Sequence, residues 1–372
     1  MKKVLFLIPT LGYGGAERVL VNLVNNMDHD KFDVTVQTLF DEGIYRDKLC
    51  DKVHYKTTFF KKQFRGNRTL LSFIPARLLY RIIVKGRYDF IVSYLEGPAT
   101  HIITGCKHKE TKRIAWVHIE LNSGKLFKHG FKTKKEAVKA YKSFDKVVFV
   151  ADSVRKAFEN CAGVMFSNTQ VLYNTNETEQ IRTLAMEPVS DIAFDRNTVN
   201  VFSVAKLMHS KGFDRLVRVH KRLLDEGLDH RIYILGEGEK RQELENYISE
   251  NRLEETFVLL GFKENPYKYL SQADIYVCSS RREGFSTAVT EALVLGKPVV
   301  STCCSGAYEL LGDNNEYGIV VENSTDGIYE GLKTMLEDSE LRKKYAEAAA
   351  IRGKAFSKEE TVRAVEEMLI SL

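Results

Sequence analysis

Residues 282–300 read REGFSTAVTEALVLGKPVV. Ser286 is a residue that caps helices, the apolar positions after it support a helix over about 286–295, Gly296 is a helix stop, and Val299 follows Pro298 as the start of a strand. The apolar run IYVC at 275–278, just upstream, is a second strand. Strand, loop, helix and strand in that order are the repeating unit of a parallel α/β sheet.

Working outward, the same alternation predicts strands at 199–205, 231–235 and 257–260 before this segment, with helices of about 10–14 residues between them. A poorly patterned stretch over about 174–197 precedes that series. Before it lies another, with strands at 4–8, 34–39, 90–93, 113–117 and 147–150 and a helix over about 16–26. A chain of 372 residues exceeds the usual single core. The expectation is two doubly wound, Rossmann-like α/β domains, 1–180 and 181–357, facing each other across a cleft that holds the ligand. Residues 358–372 have helical apolar spacing through Val362, Val365, Met368 and Leu369 and form a terminal helix, with a return to the N-terminal domain as one option.

A composition of 44% hydrophobic and 28% charged residues is that of a globular chain. The opening MKKVLFLIP has an apolar run too short for a leader, and nothing approaches the roughly 18 apolar residues of a membrane span, so a cytoplasmic location is expected. The six cysteines have no metal-ligand spacing and are expected to be reduced, with vicinal Cys303 and Cys304 either buried or redox-active.

The segment at 282–300 also carries candidate chemistry. Glu283 and Glu291 lie eight residues apart, on either side of a capped helix start whose free amides attract an anion. Taken alone, the two glutamates could equally be solvated helix-end charges. The Gly284-Phe285-Ser286-Thr287 turn between them favours a ligand, with Glu291 in reach of a ribose and Glu283 directed at what the anion carries. In VFSVAKLMHSKGFDRLV (201–217), Lys206 and Lys211 sit between a strand and a helix, where two cations can clamp a diphosphate. Such fixed donors are worth roughly 2–4 kcal/mol each in a dry site. In PTLGYGGAER (9–18), Gly14 and Gly15 allow close backbone approach, although the dinucleotide fingerprint is broken by Glu17. His118 in WVHIEL (116–121) stands just past a strand, where a lone histidine is more often structural. Gly236 and Gly238, and Gly261 with Phe262, are turns at strand ends.

From GYGGAER (12–18) to the segment around Glu309, these motifs resemble the family 4 retaining glycosyltransferases of GT-B fold, including bacterial capsular, exopolysaccharide and lipid-linked glycan enzymes. The resemblance implies a metal-independent enzyme of the hexosyltransferase type. It would move a hexose or N-acetylhexosamine from a nucleotide sugar, chiefly a UDP-sugar, to a glycan or lipid-linked glycan acceptor, with no cofactor and no metal. On this resemblance Glu291 holds the donor ribose, and Glu283, Gly284, Phe285 and His118 surround the transferred sugar, with Glu283 and His118 as the catalytic residues. Lys206, Lys211, Gly14, Gly15, Ser286 and Thr287 meet the diphosphate, and Gly236, Gly238, Gly261 and Phe262 flank the base. Family members usually carry Arg where this chain has Lys206, so a bidentate fork becomes a point charge. Asp28-His29-Asp30 matches the bare metal-binding pattern of a different glycosyltransferase fold, and is read here as a solvated turn.

The net charge of +5 is unevenly spread, with +12 over 1–180 and −7 over 181–372. Residues 52–87 hold ten Lys or Arg and no acid, interleaved with Phe59, Phe60, Phe64, Phe73, Leu78, Leu79, Tyr80, Ile82 and Ile83; the part at 70–85 is read as an amphipathic helix. Residues 107–146 hold twelve Lys or Arg against four acids. Such segments lie on anionic membranes, each cation contributing about 1 kcal/mol. The expectation is peripheral attachment to a cytosolic leaflet, with nucleic acid the less favoured partner. Three rivals remain open: a nucleotide-sugar epimerase, a nicotinamide dehydrogenase using Asp41 on a ribose, and a non-catalytic nucleotide-sugar-binding protein.

Overall fold

The computed structural model describes residues 1–12, 14–59, 71–121, 123–195 and 197–372. They form two compact units: Met1–Asn176 with Lys358–Leu372, and Glu177–Ser357.

The first unit is built on a seven-stranded sheet in the order β3-β2-β1-β4-β5-β6-β7. Its strands are β1 (Lys2–Ile8), β2 (Phe32–Phe40), β3 (His54–Phe59), β4 (Phe90–Ser93), β5 (Lys112–Val117), β6 (Lys146–Phe149) and β7 (Thr169–Val171). Every pairing is parallel. Val4 to Ile8 are fully buried, as the central strand of a sheet covered on both faces must be. The helix Gly15–Asn26 covers one face with Val19, Leu20, Leu23 and Val24. The terminal helix Lys358–Ile370 belongs to this unit and buries Val362, Val365, Met368 and Leu369. Glu366 Oε1 accepts the Asp28 backbone N–H at 2.6 Å, tying the terminal helix to the Asp28–Asp30 turn.

The second unit has a six-stranded parallel sheet in the order β10-β9-β8-β11-β12-β13. These strands are β8 (Val199–Val204), β9 (His230–Leu235), β10 (Phe257–Gly261), β11 (Ile275–Cys278), β12 (Val299–Thr302) and β13 (Ile319–Val321). Val201, Ile232, Ile234, Ile275, Val277 and Val300 pack against Leu216, Leu223 and Leu332 of the flanking helices. In both sheets the strand order reverses beside the first strand, at β1/β4 and β8/β11. Loops leaving such a pair part to opposite faces and open a crevice at the carboxyl ends.

Three strands go unread in the sequence, β3, β7 and β13, and each is a sheet edge. β3 and β7 bury less and lack the continuous apolar run that marks their neighbours, while β13 is apolar but only three residues long. The helix expected over 70–85 is broken before Ala76, with helical residues at 71–73 and the helix Ala76–Ile83 after the break, because Pro75 cannot continue a helix from its N-terminal side and stands as the cap of the second. Leu79, Tyr80 and Ile83 on it are core residues, which removes them from the apolar surface read as membrane-facing; Leu78 and Ile82 stay exposed. Phe60 and Phe64 lie outside the described residues. Among the described residues, no helix is long and apolar enough to cross a membrane.

A buried polar chain braces the second unit. His230 Nδ1 lies 2.8 Å from the Leu228 carbonyl, which can only accept, so His230 Nε2 accepts from His220 Nδ1–H at 2.8 Å and His220 Nε2 accepts from the Thr256 hydroxyl at 2.9 Å. Burial pulls the His220 pKa down to about 3 and lowers that of His230. The folded state therefore binds fewer protons than the unfolded chain below about pH 6.5. Stability is complete above that pH and is lost as the pH falls toward about 3. Urea midpoints measured from pH 7 to 4 should fall with acidification, and less steeply in a His220→Gln variant; equal slopes would remove this chain as the source.

Candidate functional site

In the second unit the ends of β8 and β11 carry two loops bound tightly to each other. Gly212 takes a φ of +71°, and a Cβ there would stand 2.1 Å from the Ser279 carbonyl oxygen, so only glycine lets the His209–Lys211 turn come this close. Ser279 Oγ donates to the Lys211 carbonyl at 2.9 Å, and the buried Arg215 guanidinium donates to the Ser279 carbonyl at 2.7 Å. Arg281 donates its backbone N–H to Ser210 O at 2.7 Å and grips Asp214 through both terminal nitrogens at 2.6 and 2.7 Å.

The result is a short ion pair. Lys211 Nζ lies 2.6 Å from Glu283 Oε1, with the side chains 24% and 14% exposed. Burial opposes the charge on Lys211, but the Glu283 carboxylate outweighs it and holds the ammonium pKa above its usual value. Ser280 Oγ donates to the same oxygen at 2.7 Å, so both partners sit on Oε1 and the other carboxylate oxygen is left for a ligand hydroxyl. Behind Ser280, Thr302 Oγ1 holds its carbonyl at 2.6 Å, and the Cys278 thiol approaches its hydroxyl at 3.6 Å.

Ser286 caps the helix Thr287–Val294, its side chain accepting the Val289 N–H at 3.4 Å. Glu291, only 2% exposed, accepts from Tyr267 Oη at 3.2 Å. The arrangement offers an ammonium, a helix N-terminus and two carboxylates near one sheet end. It suits a ligand with an anionic centre flanked by hydroxyl-bearing groups.

Residues 190–352 match the family model described as glycosyl transferases group 1, and residues 13–180 match that of glycosyltransferase family 4. A protein of Campylobacter jejuni is 30% identical over 372 residues, covering 98% of each chain. The chain belongs to the group 1 glycosyltransferases.

That relative is named N-acetylgalactosamine-N,N'-diacetylbacillosaminyl-diphospho-undecaprenol 4-alpha-N-acetylgalactosaminyltransferase. The Anabaena protein HepE, solved with UDP and glucose, superposes on this transferase with a TM-score of 0.77 at 20% identity and full coverage of both chains. Sucrose-phosphate synthase of Thermosynechococcus elongatus does so with a TM-score of 0.79 at 13% identity, covering 100% of this chain and 99% of its own. The fold is GT-B, and the transferase is an enzyme of the hexosyltransferase class.

Several residues of the transferase singled out from sequence stand in settings that the sequence did not reveal. Lys206 is exposed and, among the described residues, makes no ion pair. Gly284 is buried, and the Phe285 ring packs edge-on against Phe356 at 5.8 Å, so the main chain is what this turn can present to a ligand. A Cβ on Gly236 would meet the Ala205 carbonyl oxygen at 1.9 Å, and one on Gly238 the Leu207 carbonyl oxygen at 2.4 Å. These two glycines thus let the β9 loop close onto the Lys206–Leu207 backbone, while Gly236 N–H reaches Gly261 O at 2.8 Å. Phe262 is 60% exposed.

His118, Gly14 and Gly15 belong to the first unit. His118 is buried beside Tyr94 and Trp116, with ring centroids 4.6 and 6.1 Å away. Burial lowers its pKa to about 3 despite a hydrogen bond to the Tyr94 backbone, and Nε2 has no partner among the described residues. The imidazole is therefore neutral, with Nε2 as an acceptor. A Cβ on Gly14 would lie 1.9 Å from Glu17 Oε2, so the carboxylate covers the backbone expected to meet a phosphate. Asp41 is engaged by Tyr55 at 3.2 Å and Arg46 at 3.4 Å.

Sequence reading missed Ser280, Tyr267 and Arg215. Ser280 lies three residues before Glu283 and could have been suspected from that spacing; the other two come from distant segments and leave no local signal. Cys304 pairs with Cys278 through its thiol rather than with its neighbour Cys303, and all six cysteines are free.

Removing one member of the ion pair strands the other in a largely desolvated place. Lys211→Ala should cost about 2 kcal/mol in urea denaturation, below the value for a fully buried pair, and a Lys211→Met/Glu283→Gln double variant should recover much of it. Strictly additive losses would mean that the contact does not form in solution.

Proposed function

We propose that this enzyme transfers a hexose or N-acetylhexosamine, with retention of configuration and without a metal ion, from a UDP-sugar to a lipid-linked glycan. The Lys211–Glu283 contact beside the capped helix carries this reading, because it sets a cation and a carboxylate where a sugar diphosphate must divide its charge. The donor's diphosphate lies against Lys211 and the helix start at Ser286 and Thr287, with Lys206 as an outer charge. The ribose reaches Glu291, and the transferred sugar meets Glu283 and the Gly284–Phe285 main chain.

As the glycosidic bond to phosphate breaks, positive charge grows at the anomeric carbon and negative charge on the departing diphosphate. Lys211 and the helix amides stabilise the latter without reorganising. The departing phosphate takes the acceptor's proton, so attack and departure occur on one face. Gly236, Gly238, Gly261 and Phe262 border the base.

Support for the donor comes from the UDP and UDP-glucose complexes of the Anabaena fold neighbour. Support for the acceptor comes from the Campylobacter relative, whose name specifies a diphospho-undecaprenol-linked glycan. Such an acceptor lies in a bilayer, and the +12 charge over 1–180 suits peripheral attachment to an anionic cytosolic leaflet.

The test is a screen of UDP-hexoses and UDP-N-acetylhexosamines with a lipid-diphosphate-linked glycan and excess EDTA, the anomer of the product read by NMR. Transfer with retention should persist under chelation. It should fall at least about 100-fold in Lys211→Gln and Glu291→Gln, both still folded by circular dichroism. A strict need for a divalent ion, an inverted product or near-normal turnover in either variant would overturn the mechanism. Isomerisation of donor alone would replace it with epimerisation.

A further inference from the structure

The first unit carries a groove of about 740 Å³ along the helix Lys134–Lys142, apart from any residue given a role above. Its lining combines Lys134, Lys135, Lys139 and Lys142 with the apolar Val138, Ala162 and Val164. The opposite side of the helix is buried through Ala137, Ala140 and Tyr141, so the lysines hold the outward face. Met165, 72% exposed, follows Val164 in the chain.

Lys139 and Lys142 gain from the helix dipole in the last turn, but the row also carries a cost. Lys135 and Lys139 are one helical turn apart, as are Lys139 and Lys142, and like charges so placed repel. Among the described residues none of the four lysines forms an ion pair, although exposed cations elsewhere in the chain commonly do, as at Lys221–Asp225 and Lys240–Glu243. An anion settling on the row would relieve the repulsion. The apolar lining asks for something more than a free phosphate, namely a charged head joined to hydrocarbon.

The same surface extends beyond the groove. Lys132, two residues before the helix, holds its ammonium 5.7 Å from the centre of the Phe73 ring. Phe73 is 62% exposed, and Leu78 and Ile82, one turn apart on the helix Ala76–Ile83, are 48% and 54% exposed. An exposed aromatic beside a lysine suits the headgroup level of a bilayer. Nucleic acid fits less well, since a groove lined by valines offers no flat ring for a base to stack on.

We infer that this lysine-lined groove seats the headgroup of an anionic phospholipid, and that Phe73 enters the same leaflet as an apolar anchor. The inference rests on the membrane clause of the proposed function and names the residues that make the attachment. It makes no use of the donor site, so the two can fail separately.

The experiment is co-sedimentation of the full chain with vesicles of phosphatidylcholine alone or mixed with phosphatidylglycerol, at low and at high salt. Binding should need phosphatidylglycerol and weaken with salt. Partitioning should fall about five-fold for each lysine removed, hence about 100-fold in Lys135→Gln/Lys139→Gln/Lys142→Gln. The control Lys343→Gln/Lys344→Gln/Lys354→Gln, of equal charge change in the second unit, should shift it less than about three-fold. Phe73→Ser should lose the salt-resistant remainder. Hydrolysis of a UDP-sugar without acceptor should be unchanged in all of these variants. Should the triple variant not fold, Lys135→Gln and Lys139→Gln singly should each show the five-fold loss. Equal losses in groove and control variants, wild-type binding by the groove variant, or tighter lysine-dependent binding to a single-stranded oligonucleotide than to the mixed vesicles would overturn the inference.

Discussion

Lys211 and Glu283 come within 2.6 Å because two loops, 72 residues apart in sequence, are bound to each other before either side chain is considered. Gly212 admits the Ser279 carbonyl, Arg215 holds that carbonyl from below, and Arg281 clasps Asp214 across the gap. Without this lacing a lysine and a glutamate on separate loops would each be solvated, since an exposed pair is worth little. With it, the pair sits in a partly desolvated place where its attraction is strong and its geometry is set. Ser280, its carbonyl held by Thr302, joins Lys211 on the same carboxylate oxygen, Oε1.

That lacing depends in turn on the parallel sheet. Strands β8 and β11 are neighbours in space though far apart in sequence, because the strand order reverses between them. The reversal brings the loops leaving their carboxyl ends side by side, where Gly212 meets Ser279. The helix Thr287–Val294 follows the β11 loop, and its Ser286 cap leaves further amides free for an anion. In the proposed donor site the main chain thus supplies the helix start, and a few charged side chains are added to it. The first sheet repeats the reversal at β1/β4, where Tyr94 and His118 follow the ends of β4 and β5.

Charge is partitioned along the chain as well. Many lysines and arginines of the acidic second part are held in ion pairs and hydrogen bonds, including Lys263 with Asp191 and Lys333 with Glu226. The basic first part leaves a row of lysines on the helix Lys134–Lys142 that forms no ion pair among the described residues.

Both sheets, the central strands and the Glu283/Glu291 motif were legible because buried parallel strands need unbroken apolar runs and because capped helices obey local rules. Edge strands β3 and β7 were not legible, since a strand that buries less does not need such a run, and β13 was not because its apolar run is only three residues long. The break of the helix at Pro75 was written in the sequence and was passed over. Glu291 and Phe285 could be found from the motif, but not that one is buried against Tyr267 and the other against Phe356. By itself the sequence determined the α/β class, the family resemblance and the residue types at the strand ends, all of which follow from short-range periodicity and spacing. Only the tertiary structure decided that Ser280 and Lys211 share one oxygen of Glu283, that Lys206 stands apart, and that His118 is a neutral acceptor. Those depend on contacts between distant segments and on burial, neither of which is a property of any local stretch of chain.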